Sequence, residues 1–269
     1  YEFNDIWNNL DEYKEYLRAR LTEMKRILKN DGNIFVHCDK NAGHIIRSLL
    51  DEIFGEKNFR SEIIWTYKRW SNSKKGLLDS HQNIYHFSKS KCYKFNVIYA
   101  DYSPTTNIDQ ILQDRVRNEN GKSIYKRDEN GNIVYSGEKK GVPLGDVWEI
   151  PFLNPKAKER VGYPTQKPIQ LLENILKIGS NEGDIIMDPF LGSGTCAVAA
   201  KLFNRNFIGF DINKDAISIA KSRLENPIKS ESNLLKNGIH LYDTKTEQEK
   251  RILSRYDCNI VQRNKGLDG

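Results

Sequence analysis

The residues best equipped to do chemistry are an acid-led, glycine-rich run, DPFLGSGT from Asp188 to Thr195, and a second acid, Asp211. Gly192 and Gly194 let the chain turn tightly and let a ligand approach the backbone, which a Cβ would obstruct. Asp211 stands roughly 20 residues past the glycines, the separation at which a carboxylate accepts hydrogen bonds from a ribose. Together these residues read as a nucleotide-type cofactor site.

Charge narrows the choice of cofactor. Gly192, Gly194 and Ala197 satisfy the G-x-G-x-x-G/A spacing of dinucleotide sites, so a nicotinamide-dependent oxidoreductase stays open as an alternative. A pyrophosphate, however, seeks bare amides at a helix N-terminus, and the carboxylate of Asp188 beside that loop would repel it. S-adenosyl-L-methionine carries a sulfonium and an ammonium and no phosphate, so an acid-led loop favours it. The competing role for Asp188 is a cap on the turn or helix that follows.

Such side chains need a strand, a turn and a helix to hold them. Apolar Ile185, Ile186 and Met187 predict a short buried strand, residues 195–203 a helix, and 207–210 a second strand ending at Asp211. The same alternation runs upstream. Leu10, Tyr13, Leu17, Leu21, Met24 and Leu28 mark one face of a helix stopped at Asn30, Asp31 and Gly32, and residues 33–38 predict a strand. Ile45, Ile46, Leu49, Leu50, Ile53 and Phe54 mark a second helix closed by Gly55, and residues 59–67 a further strand. A later helix has Pro168 in its first turn and Ile169, Leu172, Ile175 and Leu176 on its core side; the last spans 214–224 and ends at Asn226 and Pro227. Helices alternating with strands predict an α/β fold, an open, mostly parallel, Rossmann-like sheet with helices on both faces.

Asp39 ends the strand over 33–38 on the side where such sheets place ligands. It faces a cofactor or substrate base there, or it caps the helix that follows. His37 reads as a strand histidine, and with no neighbours completing a ligand set, no metal is expected.

At 269 residues the chain suits one large or two small domains. No apolar run approaches the length that spans a bilayer, and no signal peptide is visible. Four scattered cysteines, Cys38, Cys92, Cys196 and Cys258, fit a reducing cytoplasm better than a disulfide framework or a zinc site. The formal net charge is +6, and residues 68–163 alone hold 17 Lys and Arg against 11 Asp and Glu. That segment therefore carries the whole excess and points to a polyanion, nucleic acid above all. A lysine-rich solvated loop is the plainer account.

From Lys68 the helix–strand rhythm stops. Lys68, Arg69, Lys74, Lys75, His81 and Gln82 interleave with Trp70 and the aromatics of IYHFSKS, residue types that contact phosphates, stack on bases and read base edges. They are the candidate DNA-binding residues, with a small satellite core as the other use for the aromatics. Residues 108–116 predict a helix, and 118–145 hairpins or loops punctuated by glycine.

Three runs in order, YPTQKPIQLLENILKIGSNEGD, DPFLGSGT and FIGFDIN, resemble the cofactor half of the amino-methylating DNA methyltransferases, and more narrowly the permuted beta group of bacterial restriction-modification systems. The likeness reaches to about Leu235 and includes LTEMKRILKNDGNIFVHCD, LLDEIFGEKNF and SEIIWTYKR. It implies an S-adenosyl-L-methionine site made by Asp188, Phe190, Gly192, Gly194, Thr195 and Asp211, with Thr165 and Lys167 on the loop before the next helix, and Asp39. It also implies a methyltransferase sheet with an inserted target-recognition region, and double-stranded DNA as partner. The implied reaction moves a methyl group to the exocyclic amino nitrogen of a flipped base, adenine N6 first and cytosine N4 as the alternative. A cognate restriction endonuclease or a second copy is the implied protein partner. The expected division is 1–67 for the catalytic half, 68–159 for target recognition, 160–235 for the cofactor half and 236–269 for the start of an additional segment. The group's catalytic tetrapeptide, Asp/Ser/Asn-Pro-Pro-Tyr/Phe/Trp, is not in this sequence, and the resemblance puts it shortly before Tyr1. A non-catalytic DNA-binding partner of the same fold is the alternative this leaves open.

Overall fold

The structure, a computed structural model, describes residues 7, 9–68, 75–102, 112–135, 141–230 and 251. In chain order they form α1 (Leu10–Ile27), β1 (Asn33–Cys38), α2 (Gly43–Phe54), β2 (Phe59–Thr66), β3 (His81–Ser88), β4 (Tyr99–Ala100), β5 (Arg115–Arg117), β6 (Ser123–Tyr125), β7 (Val142–Pro143), β8 (Val147–Glu149), α3 (Ile169–Gly179), β9 (Ile185–Asp188), α4 (Thr195–Leu202), β10 (Asn206–Gly209) and α5 (Lys214–Glu225). The chain divides into two compact units, Tyr1–Pro155 with Arg160–Pro227, and Lys156–Glu159 with Ile228–Gly269. The first holds all of these elements. In the second, the Glu159 N–H donates to Ser230 Oγ at 3.1 Å.

α1 starts where Asn9 Oδ1 accepts the Glu12 N–H at 2.8 Å. Asp11 and Glu12 sit in its first turn and Lys25 and Arg26 in its last, as the helix dipole favours. Its apolar spacing turns Leu21, with Tyr13, Leu17 and Met24, against Ile45, Ile46, Leu49, Leu50 and Phe54 of α2. Full burial of each such aliphatic or aromatic side chain stabilises by about 1.5–3 kcal/mol. The two helices cover one face of a four-stranded sheet of order β1-β3-β2-β8. Alternation sends Ile34, Val36, Tyr85 and Phe87 toward them, and Phe35, Ile63, Trp65 and Ile84 to the other face, where α3 lays Leu171 and Ile178.

This sheet is mixed. β3 runs antiparallel to both neighbours, and β8 lies parallel to β2. β9 and β10 pair in parallel across α4, a βαβ unit, and α3 turns Ile169 and Leu176 onto Val198, Ala199 and Ala200. One helix thus serves both sets of strands. Asn33, opening β1, donates from Nδ2 to Gly179 O at 3.0 Å, while Lys94 pairs with Asp184, just ahead of β9, at 2.7 Å. β1 and β9 therefore both begin near the C-terminal end of α3.

Two parts of the middle stretch differ from expectation. Residues 68–159 do not stand apart from the sheet, because His81–Ser88 is β3, its most buried strand, and β8 is its edge. Antiparallel pairing on both sides buries Ile84 and Phe87 completely, so these residues of IYHFSKS serve the core rather than an exposed DNA surface. Val116, expected in a helix over 108–116, lies in β5. The hairpin wins there because Asn118 Oδ1 accepts the N–H groups of Asn120 and Lys122 and closes the turn to β6; residues 108–111 lie outside the described residues. No helix among the described residues is long and apolar enough to cross a membrane.

Candidate functional site

β9 delivers Asp188 to the mouth of a glycine elbow. Gly192 and Gly194 have φ of +52° and +77°, the left-handed region in which a side chain is costly. A Cβ on Gly194 would lie 2.5 Å from Ala220 Cβ, so α5 also presses the elbow into shape. The Asp188 carboxylate accepts the Phe190 N–H at 3.0 Å and a hydrogen bond from the Cys196 thiol. Asp211, beyond β10, accepts the Gly192 N–H on Oδ2 at 2.7 Å and the Asn213 N–H on Oδ1 at 2.8 Å. The Phe210 N–H donates to Asp188 O at 3.0 Å and the Leu191 N–H to Phe210 O at 2.9 Å. Both strand ends are stitched into one loop pair that carries two carboxylates.

Burial holds Asp188 above the usual carboxylate range, and the charge of Asp211 pushes the same way, against the hydrogen bonds from Phe190 and Cys196. Burial, with Asp188 alongside, pushes the Cys196 thiol up and keeps it protonated. A cation held between the two acids relieves their repulsion, and each carboxylate oxygen keeps a further lone pair for a hydroxyl or ammonium donor. A phosphate would add a third negative charge. The donor set fits S-adenosyl-L-methionine better than a dinucleotide. Phe190, Phe210 and Ile212 are exposed apolar side chains on the same two loops, Ile212 fully so.

The loop before α3 links this elbow to the end of β1. Buried Tyr163 places its ring 3.4 Å from where a Gly192 Cβ would stand. The Gln166 N–H donates to Tyr163 O at 3.1 Å, and Lys167 Nζ donates to Thr165 O at 2.9 Å. Burial lowers the Lys167 ammonium, and its charge is felt by His37 at the end of β1. His37 is lowered to about 4, by burial first and by Lys167 second, so its imidazole is neutral at pH 7. Its Nε2 lies 2.8 Å from Gln82 Oε1 of β3.

Asp188, Phe190, Gly192, Gly194, Thr195 and Asp211 therefore share the elbow, and Thr165 and Lys167 stand on the adjoining loop. Asp39 is engaged otherwise. Its Oδ1 accepts the N–H groups of Asn41 and Ala42 at 3.0 and 3.1 Å, which caps the entry to α2. It also lines a cleft of about 840 Å³ over α2, together with Arg47, Asp51, Glu62 and Tyr85, that includes none of the elbow. Lys68, 3.9 Å from Glu149, and Lys75 and His81 are exposed, while Gln82 is half-buried. Arg69 and Lys74 lie outside the described residues. Among the described residues no three His, Cys, Asp or Glu side chains gather to hold a metal ion.

Tyr163, Cys196 and Arg223 were not singled out from the sequence. Buried Arg223 donates from Nη1 to Ser193 O at 2.8 Å and to Thr195 Oγ1 at 3.0 Å, bracing the elbow from behind. Its signal was present in the helical period, since Ala216, Ala220 and Arg223 share the buried face of α5.

Comparison with known proteins adds the following. The model of the N6/N4 methyltransferase family, described as DNA methylase, matches residues 1–222. Type II methyltransferase M.HpaI of Haemophilus parainfluenzae is 33% identical over 218 residues, covering 81% of this chain and 61% of that protein. The chain thus spans less than two thirds of the length of M.HpaI. DNA adenine methyltransferase YhdJ of Escherichia coli (strain K12) is 29% identical over 223 residues, 82% of this chain and 69% of that one. The crystal structure of the M1.HpyAVI-SAM complex shares the fold, with a TM-score of 0.53 and 23% identity over 80% of this chain and 85% of that one.

Proposed function

The chain belongs to the N6/N4 DNA methylase family, and from that premise we propose that it is the cofactor-binding and DNA-facing part of a site-specific DNA methyltransferase. The reaction moves a methyl group from S-adenosyl-L-methionine to the exocyclic amino nitrogen of a flipped base. The observation that carries this reading is the pair of acids, Asp188 and Asp211, on one glycine elbow. Asp211 accepts the ribose hydroxyls, and Asp188 offsets the cationic end of the ligand. Gly192 and Gly194 let the ligand lie against backbone, Phe190 flanks it, and Thr165 and Lys167 close the site from the neighbouring loop. The cofactor supplies an electrophilic methyl on sulfur. The target base must leave the duplex to meet it, because its amino group is out of reach while stacked.

Adenine is favoured over cytosine because a relative sharing 29% identity is named a DNA adenine methyltransferase. Double-stranded DNA meets the basic stretch that contains Lys68, Arg69, Lys74, Lys75, His81 and Gln82. The setting is cytoplasmic restriction and modification, with a cognate endonuclease or a second copy as partner, in keeping with the type II name of M.HpaI. The Pro-Pro tetrapeptide whose acid and carbonyl accept the amino hydrogens is not among these 269 residues. This polypeptide by itself is therefore expected to bind cofactor with little turnover. The test is calorimetry with sinefungin, then transfer of labelled methyl to DNA by a form of the protein that carries the tetrapeptide, with the product nucleosides separated. N6-methyladenine is expected. N4-methylcytosine moves the assignment to the alternative base, and absence of sinefungin binding removes the proposal.

A further inference from the structure

Where β1 ends and β3 begins, two side chains meet whose hydrogen bonding has one solution. His37 pairs in register with Ile84, so Gln82 is its diagonal neighbour on the same face. The imidazole is held from the side by Trp65, 5.7 Å between ring centroids, and Trp65 is itself fixed by donating Nε1–H to Ile150 O at 2.7 Å. Buried beside the Lys167 ammonium, His37 is neutral. A neutral imidazole 2.8 Å from an amide oxygen donates from Nε2. Gln82 is thereby turned with Oε1 inward and its NH₂ outward, and among the described residues that NH₂ meets no acceptor. Lys167, with one donor on Thr165 O, adds its remaining N–H groups to the same end of the strand.

Resting on the methyltransferase reading, we propose that Gln82 recognises a ring-nitrogen acceptor of the target base, and that His37 is its positioning residue, holding the amide in the one orientation that aims NH₂ at that acceptor. Adenine carries two such acceptors beside its amino group, N1 and N7. A glutamine free to flip would present an oxygen to them half the time and be repelled. Fixing it by a neutral histidine removes the wrong orientation without placing another charge against the base.

The test uses the full chain saturated with sinefungin and fluorescence anisotropy on labelled random-sequence duplex pools containing adenine, 1-deazaadenine or 7-deazaadenine. The unaltered protein should bind one of the deaza pools about tenfold more weakly than the adenine pool, the size of one good base contact. Gln82→Leu and His37→Leu should abolish that difference, and the double variant should be no worse than either single one, since one residue acts through the other. His37→Gln, whose amide N–H reaches the place of Nε2, should restore it. Indifference of the unaltered protein to both deaza pools, or a His37→Leu variant that still discriminates, overturns the inference. Should His37→Leu fail to fold, long-range ¹H–¹⁵N correlation decides instead: a proton on Nδ1 rather than Nε2 overturns it. Loss of sinefungin binding in the unaltered protein is a different failure and strikes the methyltransferase reading itself.

Discussion

The elbow between β9 and α4 and the strand end shared by β1 and β3 are joined by the loop from Tyr163 to Lys167, yet they are made by opposite means. In the elbow, backbone amides donate to carboxylates and carbonyls, and the longest-reaching carboxylate contact, Gly192 to Asp211, spans 19 residues. At the strand end, side chain meets side chain across 45 residues, His37 to Gln82. The first is acidic and held by backbone shape. The second is neutral or cationic, rich in N–H donors, and held by packing. The difference teaches that one loop serves two faces, an acid face for a cationic ligand and a donor face for a ligand with acceptors.

If backbone shape makes the acid face, Gly194→Val should do the most damage. The new Cβ would stand 2.5 Å from Ala220 Cβ, on a residue with φ of +77°. Overpacking and left-handed strain on a β-branched residue together cost about 2–6 kcal/mol. Urea unfolding should show that loss, and calorimetry should show no sinefungin binding. Gly121→Val is the control, with φ of +73° and nothing within 4 Å of its Cβ. It should lose only the strain. Equal losses at both positions would mean that α5 does not shape the elbow.

Acid should separate the two faces. His86 is buried on β3, stacked on Phe35 at 4.2 Å, with Nε2 2.9 Å from Asn33 Oδ1. Asn33 Nδ2 already donates to Lys94 O and Gly179 O, so Oδ1 is the acceptor and His86 Nε2 carries the proton. Burial first, then Arg60, lowers His86 from 6.5 to about 4. Between those values the unfolded chain binds more protons than the folded one. Stability is therefore whole above pH 6.5 and lost as pH falls toward 4, by up to on the order of 3 kcal/mol. Asp188 behaves in the other sense, because its folded-state value is raised: the cost of its buried charge is present at neutral pH and is relieved as pH falls through that value. Urea unfolding from pH 7 to 4.5 should show the histidine loss, and His86→Gln should flatten it. An unchanged slope in that variant would remove His86 as the cause.

Asp211→Ala should weaken sinefungin binding about 100-fold, about 2.7 kcal/mol, since it deletes charge-assisted acceptors and leaves the Gly192 N–H without its partner. Asp211→Asn keeps one acceptor oxygen and should lose less. Calorimetry that finds the alanine variant as tight as the unaltered protein would confine Asp211 to tying the two loops together.

The acid face was legible in the sequence because its signals are local. Apolar Ile185 to Met187, the two glycines and the spacing to Asp211 each report on neighbours a few residues or one helix away, and α2 was equally readable from its period. The donor face was not legible as a site. His37 and Gln82 were seen singly, as a strand histidine and a DNA contact, because only the register of β1 on β3 makes them neighbours. For the same reason His81–Ser88 looked like a surface stretch. Its mixed bases and aromatics carry no helical period, and burial on both faces by β1 and β2 is a long-range event. Arg223 was hidden differently, as a charge on a buried helix face whose purpose shows only when Ser193 and Thr195 are brought to it.

The smallest effect tests what the acid face is for. Asp188 has two claims on it: it caps its own turn by accepting the Phe190 N–H, and it stands near Asp211 with its charge disfavoured by burial. Asp188→Asn separates them, since the amide oxygen can still accept the Phe190 N–H while the charge is gone. If the charge exists to meet a cation, the variant should bind sinefungin about tenfold more weakly, about 1.4 kcal/mol. The cofactor-free protein should meanwhile melt at a higher temperature at pH 7, because a buried like-charge repulsion has been removed. Stability gained with affinity lost is the signature of a site that keeps an unfavourable charge for its ligand. Stability lost with affinity unchanged would make Asp188 a turn cap, leave Asp211 as the acid that meets the ligand, and reduce the contrast between the two faces to one carboxylate.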